Sequence, residues 1–281
     1  MKIASAMLGA VLSVSTLVAQ ADKFKVCADP LNPPYSNKEQ TGFENKIAAL
    51  FANALGQELD YFWLPQRIGF LRNSLNAFVD ETAVESKEFK CDVVMGMPEG
   101  SDMALTTQPY YHSTYVLLIA KGRGWDSIQT PQQLAQLPPT QRTKLKIAMF
   151  DRGPGTDWLQ KYDLLEQGIP YQSMTGDGQH NVAMQIDQDF KAKKIDMVML
   201  WGVLAGHVIA QNPDAYHVIE MHSEAGIKFD YQMAMGVRRG DKARQAMLNT
   251  LIADKAVDIA AILGQYHIPL LPIAAAPAKQ E

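Results

Sequence analysis

The sequence predicts an α/β fold of two lobes joined by a pair of hinge strands. Three observations point to it: a β-α-β-α-β alternation in the first hundred residues, a second start of the same plan near residue 145, and two apolar strands between the units. Those connecting stretches are "YVLLIAKGRG" leading out and "YQMAMGVRRG" leading back, which places two strands side by side as a hinge. The expected division is lobe 1 from residues 22–119 and 232–281, and lobe 2 from residues 120–231. Clefts between such lobes lie at the carboxyl ends of the strands, where α/β sheets bind ligands.

Residues 1–21 form an expected secretory signal: Lys2, an apolar run through Val18, then "AQA". That run is shorter than the roughly 20 apolar residues a spanning helix needs, and no later segment is apolar enough to span, so the expected product is exported, periplasmic and not membrane-spanning. With 47% hydrophobic and 20% charged residues the whole chain has the composition of a folded domain. Its 26 basic and 30 acidic side chains give a net charge of -4, which supplies no positive field for nucleic acid.

A buried strand is predicted over residues 24–29, and Pro30, Pro33 and Pro34 forbid a helix directly after it. Phe43, Ile47, Leu50, Phe51, Ala54 and Leu55 then recur at helical spacing, with Gly56 as the stop. A second strand covers residues 58–64. "RIGFLRNSLNAF" is predicted as a second helix, with Ile68, Leu71, Leu75 and Phe78 on one face. After the acidic "VDETAVESKEFK", a third strand covers residues 92–97 and a fourth residues 115–121. In the second unit a strand over residues 145–150 leads through "DRGPG" to a helix capped by Thr156 or Asp157. A strand over residues 195–200 leads to the helical "VLAGHVIAQ". The return strand is followed by "KARQAMLNTLIADKAVDIAAILGQY", also helical, and the final "HIPLLPIAAAPAKQE" shows no regular pattern.

Two cysteines in an exported chain leave two readings open, a Cys27–Cys91 disulfide or two buried thiols. Bonding requires Cα atoms within about 7 Å, and Cys27 ends one strand where Cys91 begins another. The chain carries none of C-x-x-C, H-E-x-x-H, G-x-S-x-G, a P-loop or an EF-hand loop, so a non-enzyme is expected. "DRGPGTD", with Gly155 and Thr156, offers a helix N-terminus suited to an anion or an ordinary glycine turn. His217 and His222 lie on opposite faces of a strand, which disfavours a metal site. His112 sits beside Tyr110 and Tyr111, where packing or hydrogen bonding is the plainer role. Strand ends deliver Tyr35, Tyr110 and Trp201 to the cleft, whereas Phe43, Trp63 and the strand methionines belong to the core.

With "VCADPLNPPYSN", "GFENKIA", "CDVVMGMP", "TTQPYYHSTYVLL" and "WGVLAG" in order, the chain resembles the type II periplasmic solute-binding proteins, of the family 3 kind. "WLPQRIGFLRNSLNA" and "CDVVMGMPEG" are similar to a branch of that fold, the MoxJ/XoxJ proteins of methanol dehydrogenase operons. Amino-acid receptors of the fold clamp the ligand carboxylate with an Arg in the turn after the third strand. Here that turn, "GMPEGSDMALTTQPYY", holds Glu99, Ser101 and Asp102 and no Arg or Lys. The acidic residue that such receptors place after the last strand of the second lobe is replaced by Trp201 and Gly202, which makes a zwitterionic amino acid a poor fit. The sequence departs from the branch in "FVDETAVESKEF" and in Val203, where "WGP" is the expected pattern.

The resemblance implies a periplasmic accessory protein that engages a pyrroloquinoline quinone (PQQ)-dependent methanol or alcohol dehydrogenase, of calcium or lanthanide type, and assists its assembly or activation. Its cytochrome c is a further partner in that reading, and PQQ belongs to the enzyme rather than to this chain. The alternative is a transporter receptor for a small polar or aromatic molecule. Candidate ligand or partner contacts in the cleft are Asp29, Asn32, Tyr35, Met97, Glu99, Tyr110, Gly155, Thr156 and Trp201. No catalytic residue and no metal ligand is expected.

Overall fold

A computed structural model describes residues 22–82, 88–173 and 181–273. The expected leader, residues 1–21, and part of the acidic segment, residues 83–87, lie outside the described residues, as do residues 274–281. Lobe 1 is built on strands β1 (Lys23–Ala28), β2 (Glu58–Trp63) and β3 (Val93–Pro98), with helix α1 (Phe43–Leu55) after the first. Strand β4 (Tyr111–Ala120) leaves this sheet and enters the second, which contains β5 (Ile147–Phe150), β6 (Gly168–Tyr171), β7 (Met197–Trp201) and β8 (Tyr216–Glu220). Helices α2 (Pro154–Lys161), α3 (Val182–Lys191) and α4 (Gly202–Gln211) cover it. Strand β9 (Asp230–Val237) returns to lobe 1, followed by α5 (Lys242–Asp254), α6 (Ala256–Gly264) and the short β10 (Leu270–Leu271).

In lobe 1, β1 runs parallel to β2 and β3, and β9 is antiparallel to β3. In lobe 2, β5 is parallel to β6 and β7. The long β4 serves both lobes. Its residues Tyr111 to Thr114 pair antiparallel with Met233 to Asp230 of β9, and from Tyr115 onward it pairs with β7 and β8. The hinge pairing thus lies just upstream of the expected outgoing stretch: Tyr111 to Thr114, and not the run from Tyr115 onward, lie beside β9, and the change of sheet falls between Thr114 and Tyr115. Apolar runs in β4 and β7 suit this position, because both faces are covered: Val116, Leu117, Leu118 and Ile119 are 0% exposed.

Several elements differ from the sequence reading. "RIGFLRNSLNAF" forms only one turn of helix, Phe70–Asn73, with Gly69 entering at φ 85° and Ser74 leaving the helical region at φ -124°, ψ -86°. Ile68 points to solvent at 94% exposure, while Leu75 and Phe70 are buried against the disulfide. The α2 helix begins before Thr156 or Asp157, with Gly153 as its cap and Pro154 at the first position, where a missing N–H costs nothing. The terminal stretch is not patternless throughout: Leu270 and Leu271 pair with Ser113 and His112 of the hinge strand. The long final helical segment is two helices, parted at Lys255.

Gly202 marks a close approach at the hinge. A Cβ there would lie 2.5 Å from the Thr114 carbonyl oxygen and 2.8 Å from Ser113 Oγ. Gly202→Ala is therefore expected to destabilise the protein by about 1–3 kcal/mol through overpacking against backbone, read as a lowered midpoint in denaturant. Val203, one residue on, occupies the first turn of α4 and is fully buried. Proline is tolerated at that place without being required, so the departure from "WGP" leaves the helix start intact.

Candidate functional site

The turn "DPLNPPYSN" is folded onto the start of α1. Leu31–Asn32 and Ser36–Asn37 pair as a minimal hairpin, and the Pro33–Pro34 bond is cis. The Phe43 and Glu44 amides donate to the carbonyls of Pro34 and Tyr35, both at 3.0 Å, so the turn satisfies donors that the helix leaves open. Asn45 Oδ1 accepts from the amides of Asn37 and Gly42 at 3.1 and 3.2 Å. Gly42 permits this contact, since a Cβ there would sit 2.1 Å from the Tyr35 carbonyl oxygen. The result is a rigid cleft wall with Asp29, Asn32 and Glu44 placed along it.

A cavity of about 350 Å³ opens between the lobes. Lobe 1 contributes Asp29, Asn32, Tyr35, Ser36, Glu44 and Gln66 to its polar lining, and lobe 2 contributes Ser173 and Asn181. Asp29 is fully engaged: its Oδ1 accepts from the Leu31 amide at 2.7 Å and its Oδ2 from the Gln66 amide at 2.5 Å. Asn32 spans the cleft, donating to Gln66 Oε1 at 3.1 Å and accepting from Asn181 Nδ2 at 3.2 Å. Asn181 also caps α3, its Oδ1 accepting from the Ala183 amide at 2.8 Å. Asn181→Ala is expected to cost about 1 kcal/mol from the lost cap, with the interlobe bond lost as well, as thermal melts would show.

Of the nine expected cleft residues, the structure brings Asp29, Asn32 and Tyr35 to the cavity wall. Trp201 lies just outside this lining, its indole facing the Tyr35 hydroxyl and its ring within 5.5 Å of Tyr115 and 5.9 Å of Tyr231. Met97 instead packs in the core around the disulfide. Tyr110 is buried in lobe 1, its hydroxyl donating to the Met95 carbonyl at 3.0 Å. Glu99 is exposed and accepts from Gln232 Nε2 at 3.2 Å. Gly155 is packed against Met199, where a Cβ would lie 2.9 Å from the Met199 Cβ, and the Thr156 hydroxyl donates to the Phe150 carbonyl. None of these five reaches the cavity lining.

Cys27 and Cys91 are joined as a disulfide, with Cα atoms 5.4 Å apart. The bond borders the cavity through Cys27 and ties the end of β1 to the entry of β3. His112 makes structural bonds at the hinge, Nδ1 to the Pro272 carbonyl at 2.7 Å and Nε2 to Asp230 at 3.0 Å. His217 and His222 border a separate hollow beside Trp158. Among the described residues no group of three metal-binding side chains occurs.

Sequence reasoning passed over Glu44. It is 9% exposed and lines the cavity, and its side chain has no hydrogen-bond or ion-pair partner among the described residues. Burial, then the charge on Asp29, push its carboxyl up to about 8. The carboxyl rests on Gly96 of β3, where a Cβ would lie 2.5 Å from Glu44 Oε1. A glycine inside a strand is the signal that could have pointed to it, since such a glycine often marks the approach of another group.

No protein-family model matches the chain. Protein MoxJ of Methylorubrum extorquens is 26% identical over 272 residues, 90% of this chain and 83% of that one. The crystal structure of the periplasmic binding protein XoxJ from Methylobacterium extorquens AM1 superposes with a TM-score of 0.68 at 29% identity, over 89% of this chain and 99% of that one. The chain has the MoxJ/XoxJ-type solute-binding fold. MxaJ from Methylophaga aminisulfidivorans shares the MoxJ-type architecture with a TM-score of 0.70 at 23% identity, covering 88% and 100% of the two chains. Amino-acid-binding proteins share the fold at lower identity, among them an arginine-specific one from Salmonella typhimurium at 16% and a TM-score of 0.58. The chain differs from what a carboxylate-clamping receptor needs, for no Arg, Lys or His lines its cavity among the described residues. No helix among them is long and apolar enough to cross a membrane.

Proposed function

We propose that this chain is a periplasmic accessory protein that binds a PQQ-dependent methanol or alcohol dehydrogenase and assists its assembly or activation. The observation that carries the reading is likeness to MoxJ and XoxJ along nearly the whole described chain, with no basic clamp of the amino-acid-receptor kind among the described cavity residues. The lining bears on the cofactor too. PQQ is a tricarboxylate, and a wall with Asp29 and Glu44 and, among the described residues, no cationic side chain disfavours it, which supports leaving the cofactor with the enzyme. The dehydrogenase's cytochrome c is a further partner in this reading.

The test is reconstitution of the apo-dehydrogenase from the same cell with PQQ and either calcium or a lanthanide ion, with and without the purified chain. A faster or larger gain of holoenzyme in its presence is the expected result. No gain with either metal would remove the assembly role. A second reading, a receptor for a small molecule, is favoured by the interlobe cavity itself, and transporter genes beside this one would support it over the accessory role.

A further inference from the structure

Glu44 sits where a ligand would replace a missing partner. Its carboxyl is buried, faces the cavity, and is given its space by Gly96 on the facing strand. An ionised carboxylate in such a place needs a counter-charge or donors, and the described residues provide neither. Among the described residues the titratable groups around it are Asp29 from the cleft turn, Tyr35, Tyr61 of β2, and Tyr110 and Tyr111 of the hinge region. None of them is cationic. Asp29 spends both of its oxygens on backbone amides, so it adds negative charge to the site without offering Glu44 a donor.

We propose that the interlobe cavity binds a small organic cation, an ammonium-type ligand with at least one N–H, whose charged head is seated on Glu44. The nearby negative charge of Asp29 strengthens the field for a cation, and the side chains of Asn32 and Asn181, which meet across the cleft, close over it. Apolar walls from Leu31, Phe70, Val94 and Met233 suit a carbon skeleton behind the head. Among the described residues a carboxylate or phosphate ligand meets two acidic side chains and no basic one. The proposal does not rest on the dehydrogenase role.

Binding drives Glu44 to its ionised form, and the released proton passes to solvent. Affinity for an ammonium ligand should then rise with pH, by close to tenfold for each unit below about 8.

Isothermal titration calorimetry on the purified chain tests this, with 1,4-diaminobutane and benzylamine as probes and glutarate and benzyl alcohol as anionic and neutral controls. Measurements at pH 6 and pH 7, each in two buffers of different ionisation enthalpy, count the protons released. The expected result is saturable binding of at least one amine, roughly tenfold tighter at pH 7 than at pH 6, with proton release and no binding of the controls. Glu44→Gln should weaken that binding at least tenfold and abolish the proton release. Gly96→Ala should weaken it as well, by putting a methyl group against the carboxyl while leaving the strand intact. Far-ultraviolet circular dichroism confirms that both variants are folded. Failure of both amines to bind, equal affinity in Glu44→Gln, or preference for glutarate would overturn the assignment. Because the chain is tested alone, such a failure leaves the reconstitution result untouched, and a failed reconstitution leaves the calorimetry standing.

Discussion

Removing the Cys27–Cys91 disulfide by the paired replacement Cys27→Ala and Cys91→Ala is expected to cost about 4 kcal/mol. The two residues are separated by 64 positions, and the loop they close takes in α1, β2 and the turn of helix Phe70–Asn73. Cross-linking a loop of that length removes conformational freedom chiefly from the unfolded chain, which is the source of the figure. Against a typical total of about 5–15 kcal/mol, the loss is a large share of the stability of the fold. Both sulfurs are buried with Phe70, Leu75, Val94 and Met97, so the same change also loosens the floor beneath the cavity. Denaturant melts of the oxidised wild type, the reduced wild type and the double variant should give one high midpoint and two low ones. Equal midpoints in all three would show that the bond adds nothing to stability.

The second large effect is a decline of stability with rising pH that depends on one residue. Folding raises the Glu44 carboxyl from an ordinary 4.5 to about 8, chiefly by burial and further by the charge on Asp29. Between these values the folded state holds a proton that the unfolded state has released. Stability from this group is therefore complete below about 4.5 and is lost progressively as pH rises to about 8. The loss over that window is on the order of 4 kcal/mol. Glu44→Gln, which keeps the shape and removes the charge, should flatten this part of the profile and be more stable than wild type at pH 8. Chemical denaturation at half-unit intervals from pH 5 to pH 8 checks it. Parallel profiles for the two proteins would mean that Glu44 ionises in the folded state as it does in water.

The strand and helix order could be read from the sequence wherever one pattern decided it. Apolar runs ended by proline marked β1 and β3, and the spacing of Phe43, Ile47 and Phe51 marked α1, all three now fully buried. Two crossing strands were legible because a bilobed chain must cross twice, although their pairing falls at Tyr111 to Thr114, ahead of the stretch expected to make it. What failed depended on single backbone geometries or on distant partners. Gly69 at positive φ and Ser74 outside the helical region bound to a single turn the helix that the spacing of Ile68, Leu71 and Leu75 suggested. Pro154 set the start of α2, ahead of the cap expected at Thr156 or Asp157. The pairing of Leu270 with Ser113 joins residues 157 positions apart, and no local pattern announces it.

The cleft was legible in part for the same reason. Asp29, Asn32 and Tyr35 belong to a turn whose prolines and polar residues advertise it, and they do line the cavity. Met97 and Tyr110 carry side chains that suit either a core or a site, Gly155 suits either a ligand-binding turn or a close contact, and only tertiary packing showed all three to be buried. Glu44 looked like an ordinary acidic residue in the first turn of a helix, a favourable place for negative charge. Its burial comes from β3 crossing over it at Gly96, a contact between residues far apart in sequence.

The accessory role is tested most directly by sedimentation velocity of the purified chain mixed with the apo-dehydrogenase of its own cell, at equal micromolar concentrations. A faster-sedimenting complex that contains both proteins is the predicted result. Two unchanged boundaries with both the apo and the holo enzyme would contradict it.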